Sequence, residues 1–389
     1  MHNITAKLGY GDVVLDFSSC TKAMAGEMIA IAARCQEYWK KSIDVQLELP
    51  ADEKLKKLFR NSNWAYFIDP RSHAESRYRG VEQVPMLRFS DAKEQQIAVD
   101  RILDVLLAAL SDFSRADLTA IEWALNEVAD NVNNHAQSTM GGFLQVTNFR
   151  NSKAVEFAVC DVGIGIPSSL RPTTKDNKRD HEWLDRAIRE GVTRDSKVGQ
   201  GNGLYGTWRI TQKSQGQFHI MSGRGSLVSS QSSGLHVSET QVPFSGTLVI
   251  ARIGYRAPIA LSDALTFRGR QHEPTGYLDV KYEPDTQGNI NFNLSIESSG
   301  FGSRAAGEPI RRKLSNLARL SSAGRVVVDL AGIPLVSSSY ADEVFGKLFV
   351  ELGPISFAKN FELRNVDPLV RDLIDRAIYQ RMSGGPQSA

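Results

Sequence analysis

The pattern of apolar and polar positions divides the chain into two similar outer blocks and a longer central one. Near the N-terminus "DVVLDF" reads as a strand and leads through a short loop to "AGEMIAIAARCQEYW", whose apolar residues recur at helical spacing. A second strand, "DVQLEL", and a helix, "DEKLKKLF", follow, and this β-α-β-α order predicts a layered α/β domain over residues 1–85. The last block, residues 305–389, has the same order: "RVVVDLAGIPLVSSSYADEVFGKLFVEL" lies over "DVVLDFSSCTKAMAGEMIAIAARCQEYW" with Asp329 on Asp16, and each runs on into another strand, "FELRNV" and "VQLELP".

The polar, aperiodic "PRSHAESRYRGVEQVP" separates the first block from the second, residues 86–257. There the pattern predicts helices around 91–110 and 115–137, then strands in "GFLQVTNF" and "AVEFAVCDVG". A lysine-rich polar stretch runs from Pro167 to about Gly199, and a glycine cluster, a helix and strands ending in "GTLVIARIG" complete the block. Residues 258–304 form a connector richer in Pro, Gly, Ser and Asn, in which "GYLDVKYEP" and "NINFNLSIES" are expected to pair as a hairpin.

Composition narrows the function classes. With 46 basic and 44 acidic residues the formal charge is +2, so no overall field draws nucleic acid or an anionic membrane. Cys20, Cys35 and Cys160 sit in apolar contexts without C-x-x-C spacing, which suggests buried thiols in a reducing compartment and no zinc site. The opening "MHNITAKLGYGDVVLDF" lacks the basic and apolar regions of a signal peptide, and no apolar run approaches the length of a membrane span, about 18 residues. A soluble, cytoplasmic protein is expected, with "SGGPQSA" as a plain tail.

The candidate chemistry lies in the central block. "ALNEVADNVNNHAQS" places four asparagines and a histidine on a helix whose core stripe is Leu118, Ile121, Leu125, Val128 and Val132. Nearly opposite that stripe fall Trp123, Glu127, Asp130, Asn131 and Asn134, with Glu127 and Asn131 as i, i+4 neighbours. Asparagine is a mediocre helix former, so its clustering costs stability, and the face is either a solvated surface or a site. In a site Glu127 would orient or deprotonate a water, and an Asn carbonyl would suit Mg²⁺. "CDVGIGIP" delivers Asp161 at the end of an apolar strand, followed by Gly163 and Gly165, and reads either as a plain turn or as a carboxylate set beside room for a flat ring. "VGQGNGLYGTWRI" sets Gly199, Gly201 and Gly203 before a helix starting near Leu204, an arrangement suited to an anion. It contains G-x-G-x-x-G, yet no apolar strand precedes it and no acid stands about 20 residues beyond, which argues against a Rossmann site. No Walker A sequence occurs, and "SGTLVI" places Thr247 at a strand start.

The order E-x-x-x-N, D-x-G-x-G, G-x-G-x-G and a terminal G-T over residues 95–255 resembles the GHKL superfamily of ATP-binding domains, which includes DNA gyrase, MutL and the sensor histidine kinases. Glu127, Asn131 and His135 are most similar to the first box of the anti-sigma-factor kinases. The resemblance implies an α/β architecture, a Bergerat-fold two-layer sandwich with a mixed sheet and helices on one face. It implies ATP with Mg²⁺ as the ligand. Asn131 would hold the metal, Glu127 would activate the attacking water or hydroxyl, and Asp161 would read the adenine amine beside Thr247. Gly163 and Gly165 would let the nucleotide approach, while Gly199, Gly201 and Gly203, with Leu204, would hold phosphates. Residues 167–200 would be a mobile lid in which Lys175, Lys178, Arg179, Arg194 or Lys197 reaches a phosphate.

The outer blocks resemble STAS-like domains, the last one a STAS-like domain of unknown function. The serine phosphorylated in STAS antagonists aligns with Ser338, which reads either as a phospho-acceptor or as a helix cap; Ala25 stands there in the first block, and Ser337 replaces the usual preceding aspartate. The expected function is an ATP-driven conformational switch with slow hydrolysis that controls a protein partner, with homodimerisation carried over from the family. A serine kinase acting on a STAS domain and a non-catalytic nucleotide-binding scaffold are the alternatives. A sensor histidine kinase is disfavoured, because His73 lies in the boundary loop and no membrane span precedes it.

Overall fold

The structure is a computed structural model that describes residues 9–76, 83–109, 113–173, 178–192, 201–257, 259, 261–274, 276–282, 284–320 and 324–383. It is α/β, and it divides into a first unit of residues 1–102 with 116–274 and a second of residues 103–115 with 275–389.

In the first unit, β1 (Asp12–Asp16), α1 (Ala25–Lys40) and β2 (Asp44–Glu48) form a parallel two-stranded layer, extended by α2 (Glu53–Asn61) and α3 (Trp64–Ile68). Asp52 caps α2 by accepting the Leu55 N–H at 2.8 Å. The central elements are β3 (Gln83–Phe89), α4 (Ala92–Ala109), α5 (Arg115–Asn131), β4 (Gly142–Phe149), β5 (Ala154–Asp161), α6 (Gly165–Leu170), α7 (Asp180–Ala187), α8 (Gly203–Lys213), β6 (Gln217–Ser230) and β7 (Gly234–Gly254). The five strands form an antiparallel sheet in the order β3-β4-β5-β7-β6. Pro85, which lacks a backbone donor, sits where β3 slips register on the edge of this sheet. After β7 come α9 (Leu261–Ala264) and a short hairpin, β8 (Thr266–Phe267) with β9 (Arg270–Gln271).

The sheet is apolar on both faces because both are covered. Phe143, Ala158, Cys160 and Leu248 share one core with Met28, Ile29, Ala32, Cys35, Phe59 and Phe67 of the N-terminal block. Helix α1 approaches closely through small residues: a Cβ on Gly26 would stand 2.2 Å from Ile250 Cδ1. The alternate positions Leu144, Val146, Phe157, Val159 and Val249 are buried on the opposite face. Polar bonds pin the block in place, Trp64 Nε1 donating to Gln145 Oε1 at 2.8 Å and the Met86 N–H to Ser62 O at 2.9 Å. Asn63, in the left-handed region at φ +64°, donates from Nδ2 to Met86 O at 3.1 Å. The N-terminal layer and the central sheet thus belong to one unit with a continuous core.

The second unit holds α10 (Tyr277–Lys281), β10 (Ile290–Asn293), α11 (Leu294–Glu297), α12 (Arg304–Leu320), β11 (Val326–Asp329), α13 (Ser338–Ala341), α14 (Lys347–Leu352), α15 (Pro354–Asn360), β12 (Phe361–Arg364) and α16 (Pro368–Ser383). A π-helical turn, Asp342–Gly346, joins α13 to α14. The sheet β10-β11-β12 is parallel throughout, so strand, loop, helix and parallel strand recur here as in β1-α1-β2. The hairpin expected within residues 258–304 does not form. "GYLDVKYEP" carries the helix α10, and β10 pairs instead with β11, with Ile290 and Phe292 buried. Among the described residues no helix is long and apolar enough to cross a membrane.

Because Phe143 packs edge-on against Phe67, with ring centroids 5.7 Å apart and no exposed surface of its own, Phe143→Ala is expected to cost about 3–5 kcal/mol. Urea denaturation measures that cost, and hydrogen exchange across α1 is expected to accelerate with it; exchange confined to β4 would show the two layers to be independent.

Candidate functional site

The helix that carries the asparagines changes its winding where they cluster. α5 continues into a π-helical turn, Val132–Ala136, and such wide turns alter which side the following residues face. Leu118, Ile121, Leu125, Val128 and Val132 are buried, as their spacing predicts. The opposite arc with Asn134 and His135 lines a cavity of about 1030 Å³. Trp123, on that arc, is itself buried, and its ring stacks on Phe267 at 6.3 Å.

This one cavity brings together Glu127, Asn131, Asp161, Gly165, Gly201, Gly203, Leu204 and Thr247. Asp161 ends β5, opposite Thr247 of β7. Burial pushes its carboxyl up to about 7, against the opposing pull of the Gly163 and Thr247 backbone N–H groups and of Arg34. Gly163 is not on the cavity wall: its N–H donates to Asp161 Oδ1 at 2.7 Å, and a Cβ there would lie 2.0 Å from Ala136 O. Gly165, at φ +78°, lets the turn close on Ser222, whose Oγ accepts the Ile166 N–H at 2.9 Å and donates to Gly246 O at 2.7 Å. Gly199 lies outside the described residues.

Glu127 and Asn131 are differently held. Asn131 Nδ2 donates to Glu127 O at 2.8 Å, so its Oδ1 is the end left for a ligand. Burial, then the neighbouring charge of Asp130, pushes the Glu127 carboxyl up to about 7, the range in which a general base works best. Helix α8 starts directly against it: a Cβ on Gly203 would stand 2.4 Å from Glu127 Oε2. Asp130 and Asn133 are engaged by the buried Gln95 of α4, which donates to Asp130 Oδ1 at 2.6 Å and accepts from Asn133 Nδ2 at 2.5 Å. The polar arc is therefore part site and part brace. Among the described residues no group of three or more His, Cys, Asp or Glu is placed to hold a metal alone.

The segment expected as a mobile lid is largely built in where it is described. In α7, Trp183 and Leu184 are fully buried and pack toward β6. The Asp180 carboxylate accepts the Arg224 N–H at 2.8 Å and a bond from Arg171 at 2.9 Å. Polar composition concealed this helix, because only one of its faces is apolar. Lys178 and Arg179 do not line the cavity, Arg179 reaching Glu182 at 3.5 Å instead; Lys175, Arg194 and Lys197 lie outside the described residues. What the sequence reading missed is the β8–β9 hairpin, which brings Phe267, Arg268, Arg270, Gln271 and His272 to the wall. Its signal in the sequence is a glycine turn, Arg268–Gly269, within the segment expected to be a connector.

In the second unit the cap of α13 is Ser337, whose Oγ accepts the Tyr340 N–H at 3.0 Å. Ser338 is the first helical residue and is exposed, so it is not the cap considered above.

The raised Glu127 carboxyl predicts a pH effect on stability. Unfolded, the group ionises near 4.5, and folded near 7. Between those values the native chain holds the extra proton, so this group's contribution falls as pH rises through the interval, by at most about 3 kcal/mol. Glu127→Gln is expected to melt higher than the wild type at pH 8 and alike near pH 4.5, as followed by thermal denaturation across pH. A constant difference would mean that the carboxylate is not desolvated.

A search of curated proteins finds no match to the chain. Residues 306–371 match the family described as STAS-like domain of unknown function (DUF4325), so the second unit carries a STAS-like domain.

Proposed function

We propose that the first unit binds ATP with Mg²⁺ in the manner of the GHKL domains and acts as a nucleotide-dependent switch for a protein partner, reset by slow hydrolysis. The observation that carries this reading is the convergence of residues from α5, the end of β5, the start of α8 and β7 on one cavity. These are the four motifs whose order suggested an ATP site. Asp161, buried and held by the backbone N–H groups of Gly163 and Thr247, has the acceptor character needed for an exocyclic amine. Thr247 stands next to it in the sheet. The N-terminal turn of α8, freed of side chains by Gly201 and Gly203, suits an anion. Magnesium would arrive with the phosphates and take one oxygen from Asn131, while Glu127 would accept the proton of the attacking water or hydroxyl. Its raised affinity for a proton favours that role.

A second reading, transfer of phosphate to a serine of a STAS-like domain, is favoured by the exposure of Ser338 at a helix start. Incubation with Mg-ATP followed by mass spectrometry separates the two: phosphate on Ser338 or on a partner's serine supports the kinase, release of inorganic phosphate alone supports the switch.

Isothermal calorimetry at pH 8, where the Asp161 carboxyl is ionised, is expected to show ATP binding that Asp161→Asn weakens by about 1.5–3 kcal/mol, the worth of a hydrogen bond to a charged acceptor. Unchanged affinity would place the base elsewhere.

Glu127→Ala is expected to leave ATP affinity within a few fold while lowering turnover by about 10²–10⁴, because a general base acts mainly in the transition state. Asn131→Ala is expected to weaken the magnesium-dependent part of binding instead. Neither residue belongs to the core stripe, so variants that both melt several degrees lower yet bind ATP normally would reduce the arc to a structural face.

A further inference from the structure

We propose that Arg268 and Arg270, on the β8–β9 hairpin that follows the central sheet, form the cationic wall of the cavity and take the terminal phosphates of a nucleoside triphosphate. The proposal rests on the ATP-binding reading and identifies the residues that would distinguish triphosphate from diphosphate and from bare nucleoside.

Charge is the first argument. The described wall carries three carboxylates, Glu127, Asp130 and Asp161, and its lysine or arginine residues are Arg268 and Arg270 alone. A polyphosphate entering a wall of that kind requires cations, and Arg matches phosphate oxygens with a planar fork of donors. Among the described residues neither guanidinium has an acidic partner, and both residues are exposed. Their charge is therefore available to a ligand.

Backbone geometry is the second. Phe267 pairs with Arg270, and the two loop residues between them, Arg268 and Gly269, have φ +49° and +75°. Both signs are positive, as in a type I′ turn, where the first position favours Asn, Asp or Gly. An arginine there accepts a conformation costing about 1–2 kcal/mol, and a strained residue on a cavity wall points to a role for its side chain.

The third is that the hairpin is fixed rather than draped. Phe267 lies 6.3 Å from the Trp123 ring and 6.1 Å from that of Tyr205, ring centre to ring centre. Leu265 packs near Gly206 of α8, and the Arg268 N–H donates to the Glu190 carboxylate just beyond α7. Gly191, at φ +75°, leaves the space that the Arg268 guanidinium occupies: a Cβ there would lie 2.8 Å from Nη2. The hairpin that carries the arginines is thus held against α5, α8 and the segment after the lid helix together.

The test is calorimetric titration of the full chain with ATP, ADP and adenosine, in the presence of Mg²⁺, for the wild type, Arg268→Ala, Arg270→Ala and the double variant. The wild type is expected to prefer ATP. The double variant is expected to lose about tenfold or more for ATP, less for ADP and nothing for adenosine, and lysine at both positions is expected to restore part of the loss. Wild-type affinity for ATP in the double variant would overturn the proposal while leaving the ATP reading intact. Equal losses for all three ligands would also overturn it, since the hairpin would then merely shape the cavity. A wild type that binds neither ATP nor adenosine would remove the ATP reading itself, and this proposal with it.

Discussion

The alternation of side chains along β5 is the constraint on which the rest of the first unit depends. Ala158 and Cys160 face the N-terminal layer, while Val159 and Asp161 face the cavity. Strand periodicity is two, so a slip of one residue would drive the Asp161 carboxylate into the apolar core and bring Cys160 to the wall. The register is fixed from both sides: by α1, which closes on Ile250 through Gly26, and by the pairing of Asp161 with Thr247. In this sense the N-terminal layer takes part in building a site whose wall it does not line.

Much of this arrangement was legible in the chain. The core stripe of α5 and the apolar runs of β4 and β5 follow from periodicity, and the glycines that permit close approach at Gly165 and Gly203 are visible as punctuation. The continuity between the N-terminal layer and the sheet was not legible, because a strand buried on both faces reads as a uniform apolar run whatever covers it. Nor was α7: two large apolar residues, Trp183 and Leu184, anchor it inside a stretch of charges, and a short helix with one buried face leaves little periodicity to detect. The second unit shows the opposite failure. "NINFNLSIES" alternates well enough for a hairpin, yet its strand pairs with Val326–Asp329, a partner that local pattern alone does not reveal.

The site divides along the same line. Residues supplied by regular elements, Glu127, Asn131, Asp161 and Thr247, stand out in the sequence by motif spacing, and they line one cavity. Those supplied by the hairpin, Phe267 and the two arginines, were not, because two-residue strands carry no periodic signal. The π-helical turn adds a further geometric element. It brings the buried Val132 together with Asn134 and His135 to the wall, although a regular helix of the same sequence would set their directions differently.

The two thiols in the layer between α1 and the sheet have a kinetic meaning. Burial pushes the Cys35 thiol up to about 12 and holds that of Cys160 well above its ordinary range. A thiol of that kind is inert to alkylating reagents until its surroundings part. Cys35 belongs to the helix and Cys160 to the strand it covers, so the rates at which a small maleimide labels the two report how often those layers separate in the folded chain. The protein carries, in two native side chains, its own clock for the breathing of that interface.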